Sequence, residues 1–284
     1  MKKAVKLPDG TRIPAIGEGT WYLGENPSKF EKEKESLIVG AESGLTLIDT
    51  AEMYGSGQAE ILIGKAMERM NRSKLFLVSK VYPHNAGRKH IFTSCQKSLQ
   101  RLKTDYLDLY LLHWRGNIPL EETVDCLEQL IKQGKIRRWG VSNFDTDDME
   151  ELWQTKNGQN CAINQVLYHM ASRGVEFDLL PWLINHKMPL MAYCPLAQGG
   201  SLRQGLYSNT VLKRIAANHE ATVASILLAF VIRSGHVIAI PRTGSSHHAE
   251  ENAAAAAIEL TDEELHQIDT IYPGPTKKVP LDMQ

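Results

Sequence analysis

Cysteine is scarce in this chain: four in 284 residues, Cys95, Cys126, Cys161 and Cys194, with no C-x-x-C pair among them. That spacing excludes a disulfide framework, offers no zinc pattern and fits reduced thiols in a cytoplasmic setting. No apolar run approaches the roughly 18 residues of a membrane span. Pro8-Asp9-Gly10 arrives before any apolar stretch can follow Met1-Lys2-Lys3, which predicts that there is no signal peptide. Charge of one sign is missing too: 32 Lys and Arg stand against 33 Asp and Glu, a formal net charge of −1, with no long block of either. This argues against nucleic-acid and membrane-surface partners. The short basic stretch Lys135, Arg137 and Arg138 reads as a solvated face.

What is present is the composition of a globular protein, 43% hydrophobic and 23% charged, enough to bury a large core. The length allows two domains of about 150 residues or one α/β barrel of about 250. Patterning favours the barrel. Short apolar runs at 15–18, 46–49, 75–79, 106–112, 137–141, 162–166, 189–193 and 237–240 predict eight strands, preceded by a small hairpin around Asp9-Gly10. Helical periodicity lies between them. Leu120, Val124, Leu127 and Ile131 mark a helix over 120–133 that Gly134 stops. An alanine-rich helix is expected at 249–257, and Thr261-Asp262-Glu263-Glu264 is a capping box opening a helix over 261–271. No repeat, linker or shift in composition divides the chain, so the expectation is a (β/α)8 TIM barrel with an N-terminal β-hairpin, one domain over 1–284.

Barrels of this kind work at the C-terminal ends of their strands. Three reactive side chains end predicted strands, Asp49 after Leu47-Ile48, Lys80 after Phe76–Ser79 and His113 after Leu109–Leu112, and Tyr54 follows Asp49 by five residues. Each alone has an ordinary explanation as a cap, a packed ring or a surface cation. Together they suggest proton delivery to a carbonyl oxygen. A tyrosine, with an ordinary pKa of about 10, needs a nearby cation to act as an acid near neutrality. Lys80 can supply that charge, Asp49 can hold Lys80, and His113 can hydrogen-bond the substrate oxygen.

With these residues in view, the chain resembles the aldo-keto reductases over nearly its whole length. The likeness rests on Gly19-Thr20-Trp21, Ile48-Asp49-Thr50-Ala51-Glu52-Met53-Tyr54-Gly55, Ser79-Lys80, Asp105-Tyr106-Leu107-Asp108-Leu109-Tyr110-Leu111-Leu112-His113-Trp114 and Gly140-Val141-Ser142-Asn143-Phe144. It implies a catalytic tetrad of Asp49, Tyr54, Lys80 and His113, with Tyr54 as general acid in reduction and base in the reverse direction. Within the family, the chain is similar to bacterial methylglyoxal-reducing members and to gluconate-type diketo-acid reductases.

Gly55-Ser56-Gly57 imitates the start of a dinucleotide fingerprint, but the third glycine is absent and Lys80 ends the next strand where an acidic ribose ligand would stand. Those glycines read as turn and helix-entry residues. A dinucleotide can instead use the loops after the seventh and eighth barrel strands. Cys194, Leu196, Gln198 and Gly199 lie in the first, and Arg242, Thr243 and Ser245 in the second. Small residues there permit close backbone approach, hydroxyls can donate to phosphate, and Arg242 can bind a 2′-phosphate. The resemblance implies NADPH, with Tyr193 stacked on the nicotinamide, Ser142, Asn143 and Gln165 on its carboxamide, and Glu251 and Asn252 at adenine. Two positions depart from the family: Arg242 stands where lysine is common, and His248 where an arginine is common. A neutral histidine attracts phosphate less than a guanidinium, and His247 and His248 also read as a solvated helix start.

Trp21, Tyr82 and Trp114 fall beside the tetrad as an apolar wall for substrate, Tyr82 having core packing as its alternative. The short loop after His113 and a tail of about a dozen residues after Tyr272 leave little to cover a bulky ligand, so small aldehydes and dicarbonyls are expected rather than steroids. The expected partner is thus a small carbonyl compound, the resemblance implies a monomer, and no metal is expected, since His113 has no ligand cluster. Competing readings are a non-catalytic NADPH-binding regulatory subunit of the potassium-channel β type and a Schiff-base aldolase using Lys80.

Overall fold

The computed structural model describes residues 3–283. The expected hairpin is present as β1 (Ala4–Lys6) and β2 (Arg12–Pro14), paired antiparallel with Val5 opposite Ile13. Then come eight parallel strands: β3 (Glu18–Gly19), β4 (Leu47–Asp49), β5 (Phe76–Val81), β6 (Leu109–Leu112), β7 (Trp139–Ser142), β8 (Asn164–Leu167), β9 (Leu190–Tyr193) and β10 (Val237–Ala239). Each pairs with the next in chain order, and nearly every strand residue is buried, because helices cover the outer face and side chains fill the inner one.

The sheet closes on itself where the N-terminal segment meets β10. The Gly17 amide donates to Ala239 O at 2.8 Å, the Ala239 amide to Ala15 O at 2.8 Å, and the Gly19 amide to Pro241 O at 3.0 Å. This seam explains why the strand here is only Glu18–Gly19, sharing just Glu18 with the expected 15–18 run: the backbone before it bridges to β10 at Ile16–Ala239. It also explains Gly19. A Cβ there would sit 2.7 Å from Ile240 O, so a side chain would pry the seam open.

The helices are α1 (Phe30–Glu42), α2 (Gln58–Ala66), α3 (Ile91–Leu102), α4 (Leu120–Lys132), α5 (Thr146–Gln154), α6 (Leu179–Asn185), α7 (Gly200–Ser208), α8 (Thr210–Asn218), α9 (Val223–Val231), α10 (Ser246–Ala255) and α11 (Asp262–Ile271). In α4 the predicted stripe is the one that packs inward: Leu120, Val124 and Leu127 are buried. The capping box of α11 forms in both directions between Thr261 and Glu264. Helix α10 starts three residues before the alanine-rich stretch, directly after a turn in which Thr243 Oγ1 accepts from the Ser245 amide at 3.1 Å.

Candidate active site

Strand register places the reactive residues on one face. Ser79 Oγ donates to Glu60 on α2 at 2.7 Å, so Ser79 points outward and, by alternation along the strand, Lys80 and Val78 point into the barrel. Residues paired across parallel strands share a face. Val78 pairs with Asp49 and Lys80 with Leu111, so Asp49 and, two residues past Leu111, His113 also face inward. The same argument carries on through Leu111–Gly140, Ser142–Gln165, Gln165–Met191 and Leu167–Tyr193, adding Ser142, Gln165 and Tyr193 to the inner face at the strands' C-terminal ends. Tyr54 comes from the loop after β4. There Gly55, Ser56 and Gly57 have φ of 55°, 53° and 93°, a tight left-handed reversal that turns the chain into α2 and leaves Tyr54 over the barrel mouth.

Lys80 is fully buried, and its Nζ donates to Asp49 Oδ2 at 2.7 Å, Thr50 O at 3.0 Å and Tyr54 Oη at 3.0 Å. An ammonium has three N–H donors, and all three are used. Because the phenol oxygen accepts from Lys80, its own hydrogen is free to point into the groove. The other Asp49 oxygen, Oδ1, accepts from Gln165 Nε2 at 2.8 Å. Burial raises the Asp49 carboxyl and lowers the Lys80 amine, and their mutual attraction opposes both shifts.

Burial, with Asp49's charge adding to it, pushes the Tyr54 phenol well above its ordinary value of 10. Here the resting site differs from the sequence expectation that Lys80 would draw Tyr54 toward ionisation. Lys80's charge is met by Asp49 at contact distance, so the phenol stays protonated. His113 is pushed down to about 2, first by burial and then by the Lys80 charge, so its imidazole is neutral at any ordinary pH. Its Nδ1 is buried and has no hydrogen-bond partner among the described residues. The Tyr54 and His113 rings meet edge to face, 5.8 Å between centroids.

Above this floor lies a groove of about 720 Å³. Asp49, Tyr54 and His113 line one end, and Arg242, Thr243, Ser245 and His248 the other. Between them are Ser142, Asn143, Gln165, Tyr193, Cys194, Leu196 and Gln198. Tyr193 Oη donates to Asn143 Oδ1 at 2.9 Å, Asn143 Nδ2 to His113 O at 3.2 Å, and Ser142 Oγ to Gln165 O at 2.8 Å. These bonds hold the floor of the groove rigid. Cys194 is half-buried, and burial pushes its thiol up to about 11.

Not every expected residue lines the groove. Gly199, Glu251 and Asn252 lie off it: Gly199 is exposed beyond Gln198, Glu251 faces His247 at 3.7 Å, and Asn252 is buried in α10. Trp21 and Trp114 line it, but Tyr82 does not; its ring meets Trp114 edge-on at 5.9 Å. Conversely, Tyr22, Lys29, Lys32, Glu33, Arg203 and Met283 line the groove without having been singled out in the sequence. Only Tyr22 carried a local signal, as the neighbour of Trp21, on which it stacks at 4.7 Å. The tail does not leave this side open. Lys278 bridges to Asp147 at 3.0 Å, Ser172 hydrogen-bonds Asp282, and Met283 reaches the groove wall.

Comparison with known proteins agrees with this geometry. The Aldo/keto reductase family model matches residues 15–273. The chain is 53% identical to methylglyoxal reductase YeaE of Escherichia coli strain K12 over 99% of both chains, and 35% identical to glyoxal reductase of Bacillus subtilis strain 168 over 95% of this chain and 93% of that protein. Among solved structures, an aldo/keto reductase from Klebsiella pneumoniae in complex with NADP and acetate superposes with a TM-score of 0.97 at 53% identity, covering all of both chains. On the barrel, the groove and these similarities together, the chain belongs to the aldo/keto reductase family.

Proposed function

We propose that this protein is an NADPH-dependent reductase of small aldehydes and α-dicarbonyl compounds, in which Tyr54 is the proton donor. The observation that carries the reading is the hydrogen-bond count at Lys80: with all three donors spent, the Tyr54 hydroxyl has its proton free beside a neutral His113, at one end of a long groove whose other end is cationic. Relatives named for methylglyoxal and glyoxal support the substrate class.

The residues present fit the cofactor. Helix α10 begins without a side-chain cap, which leaves its first amides for an anion, and exposed Arg242 stands beside them. Arg242, Thr243 and Ser245 would hold the adenosine phosphate, Cys194, Leu196 and Gln198 the middle of the dinucleotide, and Tyr193, Ser142, Asn143 and Gln165 the nicotinamide. Gln165 has its amide nitrogen committed to Asp49, which leaves the carbonyl end as an acceptor. When bound, the cofactor supplies a hydride to the carbonyl carbon.

The side chains do the rest. Neutral His113 hydrogen-bonds the carbonyl oxygen and fixes its approach. Tyr54 gives that oxygen its proton, and the phenolate left behind lies 3.0 Å from the Lys80 ammonium, in a buried site where such attraction is strong. Asp49 holds Lys80 charged and aimed. In oxidation the same phenolate takes the proton back. Trp21 and Trp114 form the apolar wall around the substrate. Lys80 as a Schiff-base nucleophile fits poorly, since it is buried beneath Tyr54 with every N–H engaged.

The test is NADPH oxidation with methylglyoxal, 4-nitrobenzaldehyde and a diketo sugar acid, in wild type and Tyr54→Phe. Turnover lost in the variant with NADPH binding retained supports the reading. Cofactor binding without turnover of any carbonyl would point to a regulatory subunit, and borohydride trapping of substrate on Lys80 to an aldolase. The chain is further assigned as one domain and a cytoplasmic monomer; the single sheet of eight parallel strands supports the first, free thiols the compartment, and the monomeric habit of the family the last. Sedimentation at about twice 31.8 kDa would overturn the monomer.

A further inference from the structure

The cationic end of the groove has a second wall. Helix α1 packs against the loop after β10: Ser36 Oγ donates to Thr243 O at 3.5 Å, and a Cβ on Gly244 would lie 3.1 Å from Glu33 Cγ. Lys32 is one turn before Ser36, and Lys29 one turn before Glu33, so the face that touches Thr243 and Gly244 continues outward through these two lysines. Both are exposed, and both line the groove opposite Arg242.

The charges on α1 show that these lysines are not held for structure. Glu31 is paired with Lys34 at 2.5 Å, and Glu35 with Arg69 at 2.5 Å. Buried Glu33, the only carboxylate lining this part of the groove among the described residues, accepts the Gly24 amide at 2.8 Å, which pins the loop leading into α1. The ammonium groups of Lys29 and Lys32 have no hydrogen-bond or ion-pair partner among the described residues, nor does the Arg242 guanidinium. Three unpaired cations on two facing walls raise the local potential for a compact dianion.

We propose that Lys29 and Lys32 form the α1 half of a phosphate clamp whose other half is Arg242 and the start of α10, and that they set the preference for a 2′-phosphorylated cofactor which His248, lacking a guanidinium, cannot supply. This rests on the reading of the protein as an NADPH-dependent reductase. Lysine suits the position, since a flexible point charge can swing across an open groove without the fixed geometry a guanidinium needs. The two lysines are specificity residues, remote from the reacting atoms at Tyr54.

The test is equilibrium binding by titration calorimetry. The probes are adenosine 2′,5′-bisphosphate against adenosine 5′-monophosphate, and NADPH against NADH, each with wild type, Lys32→Ala, Lys29→Ala/Lys32→Ala and Lys32→Arg. The double variant is expected to weaken the bisphosphate and NADPH by about tenfold, while the two probes lacking a 2′-phosphate change by less than about twofold. Lys32→Arg keeps most of the wild-type affinity, and the gap between wild type and variant narrows as salt rises. Equal weakening of both members of each pair overturns the specificity role, and no change in any probe overturns the clamp. Wild-type protein that binds neither NADPH nor the bisphosphate would overturn the parent reading with it, an outcome distinct from a wild type that binds both and variants that bind as well.

Discussion

The two ends of the groove handle charge in opposite ways. At the floor, Asp49 and Lys80 are buried at 2.7 Å from one another and every donor of the ammonium is spent. At the mouth, Arg242, Lys29 and Lys32 are exposed and have no ion-pair partner among the described residues. Buried charge must be satisfied internally or it destabilises the fold, so the floor is complete before any ligand arrives. Exposed charge is satisfied by water and can wait for a ligand at little cost to stability. One end is therefore built for a fixed proton geometry, the other for capture.

Substitution at the floor should cost chemistry or stability, and at the mouth only affinity. The largest effect is expected from Tyr54→Phe, with kcat down by about 10²–10⁴-fold and the NADPH Kd within about twofold of wild type, measured by initial rates and fluorescence titration; a matching loss of affinity would merge the two ends into one. Next is Lys80→Met, which leaves Asp49 buried without its cation and should cost about 3–5 kcal/mol in denaturant unfolding. Adding Asp49→Asn should recover part of that loss, and a double variant no better than the single would argue that the pair contributes nothing as a pair. Arg242→Ala is expected to raise the Michaelis constant for NADPH by about 10–100-fold, as for a charged hydrogen bond, with little change for NADH and intact unfolding stability.

The smallest effects concern pH, where two buried groups act with opposite sign. His113 falls from 6.5 to about 2 in the fold, so its contribution is present above the unfolded value and drains away as pH falls. Glu18 on β3 lies against α1 where Gly40 leaves it room, a Cβ there coming within 2.2 Å of its carboxylate, and neither oxygen has a partner among the described residues. Burial holds that carboxyl well above 4.5, so its contribution is full below 4.5 and is lost as pH rises through the folded value. In Glu18→Gln, melting temperature relative to wild type should rise by a few degrees, about 2–4 °C per kcal/mol, between pH 5 and pH 9. A difference that stays constant with pH would show that Glu18 does not titrate in the fold.

Much of the floor was legible in the sequence because its residues end apolar runs. Asp49, Lys80 and His113 each stand at or next to the end of a strand whose alternation decides which way they point, and Tyr54 directly precedes a turn marked by two glycines. The mouth was legible only in part. Arg242, Thr243 and Ser245 sit after a strand and could be read. Lys29 and Lys32 look like any solvated lysines at a helix start, and nothing local says that α1 lies against the loop after β10, more than 200 residues away. Tyr82 follows a strand end two residues after Lys80 yet is not among the residues lining the groove, its ring meeting groove-lining Trp114 edge-on at 5.9 Å.

By itself, the sequence determined the rhythm of strands and helices, the hairpin, the capped ends of helices and the ring of strand ends where chemistry would collect. Each of these follows from neighbours a few residues apart. The tertiary structure decided what those residues do to one another: that Lys80 spends its third hydrogen bond on Tyr54, that burial keeps the phenol protonated and His113 neutral, and that α1 lends its lysines to the groove. Those outcomes depend on distance and dielectric between segments far apart in the chain, and only the closed barrel brings such segments together.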